Sequence, residues 1–150
     1  MTTSHRIRPI VKTRLVPIDV ARAFTLFTEK AEEWWPFTTH SIAGEEAVGI
    51  RFETEVGGVV VELTARGGEH IWAEVMEWDP PHRFVLNWHP AINPVAASTL
   101  EVRFSPVEGG TEITLEHHGW ERFGAGAEEL RHGYDHGWDA VLGRLAQYLG

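Results

Sequence analysis

Apolar and polar positions alternate with a period of two through most of this chain and switch to a helical period at its end. Residues 8–16 form a first strand bounded by Pro9 and Pro17, with Ile10, Lys12, Arg14 and Val16 on one side. Ile7, Val11, Thr13 and Leu15 fall on the other. Asp19 then caps a helix that runs to about Glu29, because Val20, Ala23, Phe24 and Phe27 make an i, i+3, i+4, i+7 stripe. A second short helix covers 31–35, and Pro36 ends it. Residues 38–48 show no period and read as a loop.

Six further strands follow. Residues 50–56 and 59–63 flank Gly57-Gly58, a hairpin turn signal. Residues 70–78 are a long strand broken by Asp79-Pro80-Pro81. Residues 83–88 place Phe84, Leu86 and Trp88 on one face, and 89–97, with two prolines, is a loop. Residues 99–104 turn Leu100, Val102 and Phe104 one way, with Glu101 and Arg103 the other way. Residues 112–118 align Ile113, Leu115 and His117 on an apolar face, with His118 opposite. Residues 119–126 are a loop. From Ala127 to Leu149, turning each residue by about 100° gathers Ala127, Leu130, Tyr134, Trp138, Val141, Leu142, Leu145 and Leu149 into one arc. His132, Asp135, His136 and Asp139 occupy the opposite arc.

A strand, two short helices, a meander of strands and a long helix specify an α+β layer architecture with an antiparallel sheet. The expectation is a single domain over 1–150 in which the long helix lays its aromatic arc on the sheet.

Composition narrows the function. The net charge of −9 repels phosphate backbones and argues against nucleic-acid binding. The absence of Cys removes thiolate metal sites and cysteine nucleophiles. No apolar run reaches the length of about 20 residues that spans a membrane, and 1–8 lacks a signal-peptide core, so a cytoplasmic location is expected. There is no GxxxxGK[ST] loop, no GxGxxG after a strand and no GxSxG elbow. No cofactor and no metal is implied. Seven Trp and seven Phe in 150 residues are the outstanding feature. Such side chains fill a core or line a cavity.

The order and spacing of several short motifs resemble the SRPBCC (START-like) superfamily in its AHSA1-like branch. They are Pro17 with Val20, Ala23 and Phe24; Trp34-Trp35-Pro36; Gly57-Gly58; Trp72 and Glu74; Asp79-Pro80-Pro81; Trp88; Glu101 to Phe104; Gly110-Thr111; Leu115 to His117; Gly119 to Glu121; and Gly137-Trp138. Phe24 stands where many relatives carry Trp. The resemblance covers 8–149. It implies a helix-grip fold, a curved antiparallel sheet wrapped around a long C-terminal α-helix with two short helices near the N-terminus. It also implies a cavity between sheet and helix, which relatives use for apolar ligands.

Within that frame Trp35, Trp72, Trp88, His117, Trp120, Tyr134 and Trp138 are the candidate ligand-binding residues. His117 is the leading candidate for chemistry, since an inward imidazole can act as a base. Tyr134 and Glu74 are its candidate acid or oxyanion partners. By strand parity Glu74 shares a face with Trp72 and Met76, whereas Glu62 can face either way. Glu121 and Arg122 are placed at the cavity mouth. His132 and His136 have the i, i+4 spacing of a metal pair but lie on the polar arc without a third ligand.

Three functions follow from these residues. One is binding of a small apolar or aromatic molecule between sheet and helix. Another is a cyclase, dehydratase or hydrolase using His117 in that cavity. The last, which only the family resemblance suggests, is an interaction module such as a chaperone regulator, with the negative charge steering a basic partner. A strand edge or the Trp34-Trp35 region offers a surface for a homodimer.

Overall fold

The computed structural model describes residues 7–37, 39–89 and 97–149. Seven strands form one antiparallel sheet: β1 (Ile10–Val16), β2 (Ala47–Phe52), β3 (Val59–Thr64), β4 (Glu69–Asp79), β5 (Arg83–Trp88), β6 (Ser98–Val107) and β7 (Gly110–His118). Their order across the sheet is β1-β7-β6-β5-β4-β3-β2, so the meander from β2 to β7 is closed by β1 pairing with β7. Helix α1 (Val20–Phe27) and the long α2 (Ala127–Leu149) pack on the concave face, giving the expected helix-grip arrangement. The second helix expected near the N-terminus is a single tight turn over Ala31–Glu33. Of the loop expected over 89–97, residues 90–96 lie outside the described ones, as do 1–6 of the N-terminal segment.

Local chemistry accounts for the element ends. Asp19 accepts a hydrogen bond from the Arg22 amide at 2.8 Å and so caps α1. The hydroxyl of Thr28 returns to the Phe24 carbonyl and closes that helix. Phe24 and Phe27 then meet Phe84 and Phe104 from the sheet, with ring centroids 5.1–6.0 Å apart.

Strands β6 and β7 alternate as the sequence predicts, and His117 is fully buried beside Leu115. Strand β4 does not. Trp72 is an extra residue against β3, and Met76 is an extra residue against β5. Each bulge inverts the alternation of the strand. Trp72, Ala73 and Val75 therefore all point into the core, whereas Met76 is exposed and Glu74 turns to the other face. This corrects the parity reading of Glu74.

On α2 the apolar arc packs as expected, but its polar arc is not all solvated. Asp135 and Asp139 face β1, where Lys12 lies 2.8 Å from Asp135 and Arg14 lies 3.3 Å from Asp139. Lys12 and Arg14 point toward the helix, while Val11 and Leu15 on the same strand are exposed.

Candidate functional site

A cavity of about 240 Å3 opens between α2, strands β4 and β5, and the segment 39–42. Its apolar wall is built from Trp35, Trp72, Trp88 and Trp138, with Tyr134 and Val141 beside them. These rings pack on one another. Centroid distances are 5.0 Å for Trp35–Trp72, 5.8 Å for Trp72–Trp88, 5.5 Å for Trp88–Trp138 and 6.1 Å for Trp35–Trp138. On the far side of the same four indoles lies an apolar void of only about 20 Å3, lined by Phe27, Phe84 and Leu100 among others. The indoles thus separate a packed core from an open chamber.

The polar groups of the chamber come from Tyr134 and from the aperiodic segment read as a loop: Thr39, His40 and Ser41. That segment is tied down at several points. The Trp35 indole donates to the His40 carbonyl at 2.6 Å, and the Ser41 hydroxyl donates to the Phe37 carbonyl at 2.5 Å. Glu62, completely buried, accepts the amides of Ile42 and Ala43, one on each carboxylate oxygen, both at 2.7 Å. It also accepts the Trp72 indole N–H at 3.0 Å. Three N–H donors on one carboxylate compensate the cost of burying it. One side chain therefore fixes both the loop and a wall indole.

The mouth is a shallow groove lined by His40, Glu129, Leu130, Gly133, Tyr134, His136 and Gly137. Gly133 and Gly137 leave α2 without side chains there, and the His40 ring lies over Gly137. Glycine inside a helix costs about 1 kcal/mol relative to alanine. At these two positions it keeps the groove open. Glu121 and Arg122, expected at the mouth, are elsewhere: Arg122 donates to the Ala97 carbonyl and the Thr99 hydroxyl on the β6 side.

His117 and Trp120 do not line the chamber. His117 lies behind Trp88 and Trp138, stacked 4.3 Å from the Trp120 ring and 5.1 Å from Tyr134. The Trp138 indole donates to His117 Nδ1 at 2.9 Å. With that lone pair occupied, the proton sits on Nε2 and is donated to Ser98 Oγ at 2.6 Å. Ser98 in turn donates to the Trp88 carbonyl at 3.2 Å. Burial, with a smaller contribution from nearby His118, lowers the His117 pKa to about 3. The imidazole is neutral, hydrogen-bonded at both nitrogens and shut away from the chamber.

Glu74 is separated from both His117 and Tyr134. It accepts from Asn87 Nδ2 at 3.0 Å and pairs with buried His89 on the opposite face of the sheet from Leu86 and Trp88. Arg103 pairs with Glu101 and Glu116. His132 and His136 sit edge-on with ring centroids 4.6 Å apart, and no group of three metal-ligating side chains occurs among the described residues. Trp34, considered for a dimer contact, is a core residue whose indole donates to the Leu26 carbonyl at 2.9 Å. No helix among the described residues is long and apolar enough to cross a membrane.

A family model described as "Activator of Hsp90 ATPase homolog 1-like protein" matches residues 17–150. The chain belongs to this family. No curated protein matches this AHSA1-like chain. Among solved structures, protein MLL2253 from Mesorhizobium loti superposes with a TM-score of 0.69 at 21% identity, covering 93% of this chain and 95% of its own. Protein BH1534 from Bacillus halodurans reaches a TM-score of 0.69 at 18% identity, covering 97% and 99%. The anthrahydroquino-γ-pyrone synthase Txn09, solved as a complex, is 31% identical with a TM-score of 0.60, covering 87% and 88%. The first two likenesses establish the fold of the AHSA1-like chain and nothing finer.

Sequence reasoning missed Thr39, His40, Ser41 and Ile42, because an aperiodic segment carries no signal of which way it folds. Gly133 and Gly137 were visible as helix-weakening residues within an otherwise amphipathic stretch. They were the available clue to an opening.

Proposed function

We propose that this AHSA1-like chain binds a small planar apolar or aromatic molecule in the indole-walled chamber between the sheet and α2. The single observation that carries this reading is the arrangement of Trp35, Trp72, Trp88 and Trp138 around an open volume of about 240 Å3. Four indoles converging on a space with hydroxyl and imidazole groups on one side match the make-up of small-molecule sites, which are largely apolar with a few oriented polar groups. The volume lies just under the range of about 300–1,000 Å3 for drug-sized ligands, so it suits about two or three fused rings. The 31% identity to a protein named as an anthrahydroquino-γ-pyrone synthase supports a polycyclic aromatic ligand class.

The test is a tryptophan fluorescence titration with 1-tetralone, a bicyclic aryl ketone, alongside native mass spectrometry of the purified protein. Saturable one-to-one quenching that weakens at least tenfold in Trp35→Ala is the expected result. A stoichiometric extra mass that leaves on denaturation would identify a carried-over ligand directly. Linear, non-saturating quenching that is the same in Trp35→Ala would overturn the reading.

A further inference from the structure

We infer that His40 and Tyr134 form a proton-transfer pair at the mouth of the chamber, suited to enolising an aryl ketone bound there. The inference rests on the chamber being a ligand site and assigns it a chemistry. His40 is the only imidazole that lines the chamber among the described residues, and Tyr134 is the only phenol. Both also line the groove at the mouth.

The hydrogen bonds of His40 point its free lone pair at that space. Nδ1 lies 2.7 Å from Thr39 Oγ1. In the tautomer with the ring proton on Nδ1, that proton is donated to the Thr39 oxygen. The lone pair is then left on Nε2, which has no hydrogen-bond partner among the described residues. Nε2 lies over Gly137, 3.9 Å from where a Cβ would stand. The backbone beneath is held by the Trp35 indole on the His40 carbonyl and by the His40 amide on the Pro36 carbonyl at 2.9 Å. His117 offers the reverse arrangement, with its own lone pair covered by Trp138.

Tyr134 supplies the complementary donor. It precedes Gly137 by three residues, roughly 4.5 Å along the helix axis. Its oxygen accepts the Trp88 indole N–H at 3.2 Å, which leaves its own proton to donate. Burial raises the phenol pKa, so the donor stays protonated.

With an aryl ketone in the chamber, His40 Nε2 takes a proton from the carbon next to the carbonyl. The C–H electron pair becomes the C=C bond of the enolate. The carbonyl π pair moves onto oxygen, which the Tyr134 O–H holds. Return of the proton from the imidazolium to carbon or to oxygen completes a tautomerisation. Atoms and electrons balance without a co-reactant.

The experiment follows exchange of the C2 protons of 1-tetralone by NMR in deuterated buffer. Wild-type protein is expected to catalyse exchange with saturation, faster than imidazole at the same concentration. His40→Asn should lower the rate about 100-fold or more, the usual scale of a positioned base. Tyr134→Phe should lower it about tenfold or more, with each variant's quenching titration used to compare rates at saturating 1-tetralone. Quenching by wild type without catalysed exchange, or an unchanged rate in His40→Asn, would overturn this inference while leaving the binding reading intact. Absence of saturable quenching in wild type would overturn the binding reading and this one with it.

Discussion

Trp138 on α2 donates its indole N–H to Nδ1 of His117 on β7 at 2.9 Å, with both side chains buried. That bond joins the long helix to the sheet and sets the histidine tautomer. It also begins a directed chain through Ser98 to the Trp88 carbonyl. A residue whose strand position suggested a base is thereby a structural link.

The depressed pKa of His117 makes the fold sensitive to acid. The unfolded imidazole titrates near 6.5 and the folded one near 3, so the unfolded state binds more protons between these values. The contribution is fully present above pH 6.5 and falls as pH drops toward 3. From this group alone, urea denaturation should show a loss of about 2 kcal/mol between about pH 8 and 5. His117→Gln should start less stable at pH 7 and lose correspondingly less on acidification. Equal losses in both proteins would count against a buried neutral His117.

Replacing Trp138 by Phe keeps an aromatic ring but deletes the donor together with part of the buried ring volume. The His117 acceptor is then buried without a partner, at a cost of about 1–3 kcal/mol. A lowered urea midpoint with an unchanged m-value is the expected readout. Trp138→Ala should cost more, about 3–5 kcal/mol, and lower ligand uptake as well.

Glu62 should behave as a clamp on the chamber loop. Glu62→Gln preserves shape but sets an amide NH2 against a backbone N–H, costing about 1–3 kcal/mol. Hydrogen exchange at the Ile42 and Ala43 amides should accelerate well beyond the global change, and 1-tetralone binding should weaken. Protection at these two amides equal to wild type would remove the clamp.

Gly133 and Gly137 on α2 separate stability from access. Gly133→Ala meets nothing within 4 Å, so it should stabilise the protein by up to about 1 kcal/mol, and its single methyl should narrow the groove far less than a leucine at Gly137. Gly137→Leu should also fold, yet project into the space under His40 and reduce quenching by 1-tetralone about tenfold. Thermal melts and titrations on the same samples check both statements; tight binding by Gly137→Leu would place the entrance elsewhere.

Much of the architecture was readable in advance because its signals are local. The period-two runs of β6 and β7 and the aromatic arc of α2 follow directly from which residues repeat at which spacing. The inward orientation of His117 followed from the same parity. Glu74 was misread because parity holds only while a strand pairs without interruption. The bulges at Trp72 and Met76 depend on neighbouring strands.

Fold class, family and the indoles available to a cavity are all legible in the order of residues, since hydrophobic period and turn residues act over a few positions at a time. Tertiary structure alone decided which groups meet. It set His117 behind the indoles, turned Glu74 to the other face, and placed His40 and Tyr134 on one chamber through a loop anchored on Glu62. The physical reason is range. Hydrogen bonds such as Glu62 to Ala43 and Trp138 to His117 join residues far apart in the chain, and their geometry exists only once the sheet has curved around the helix.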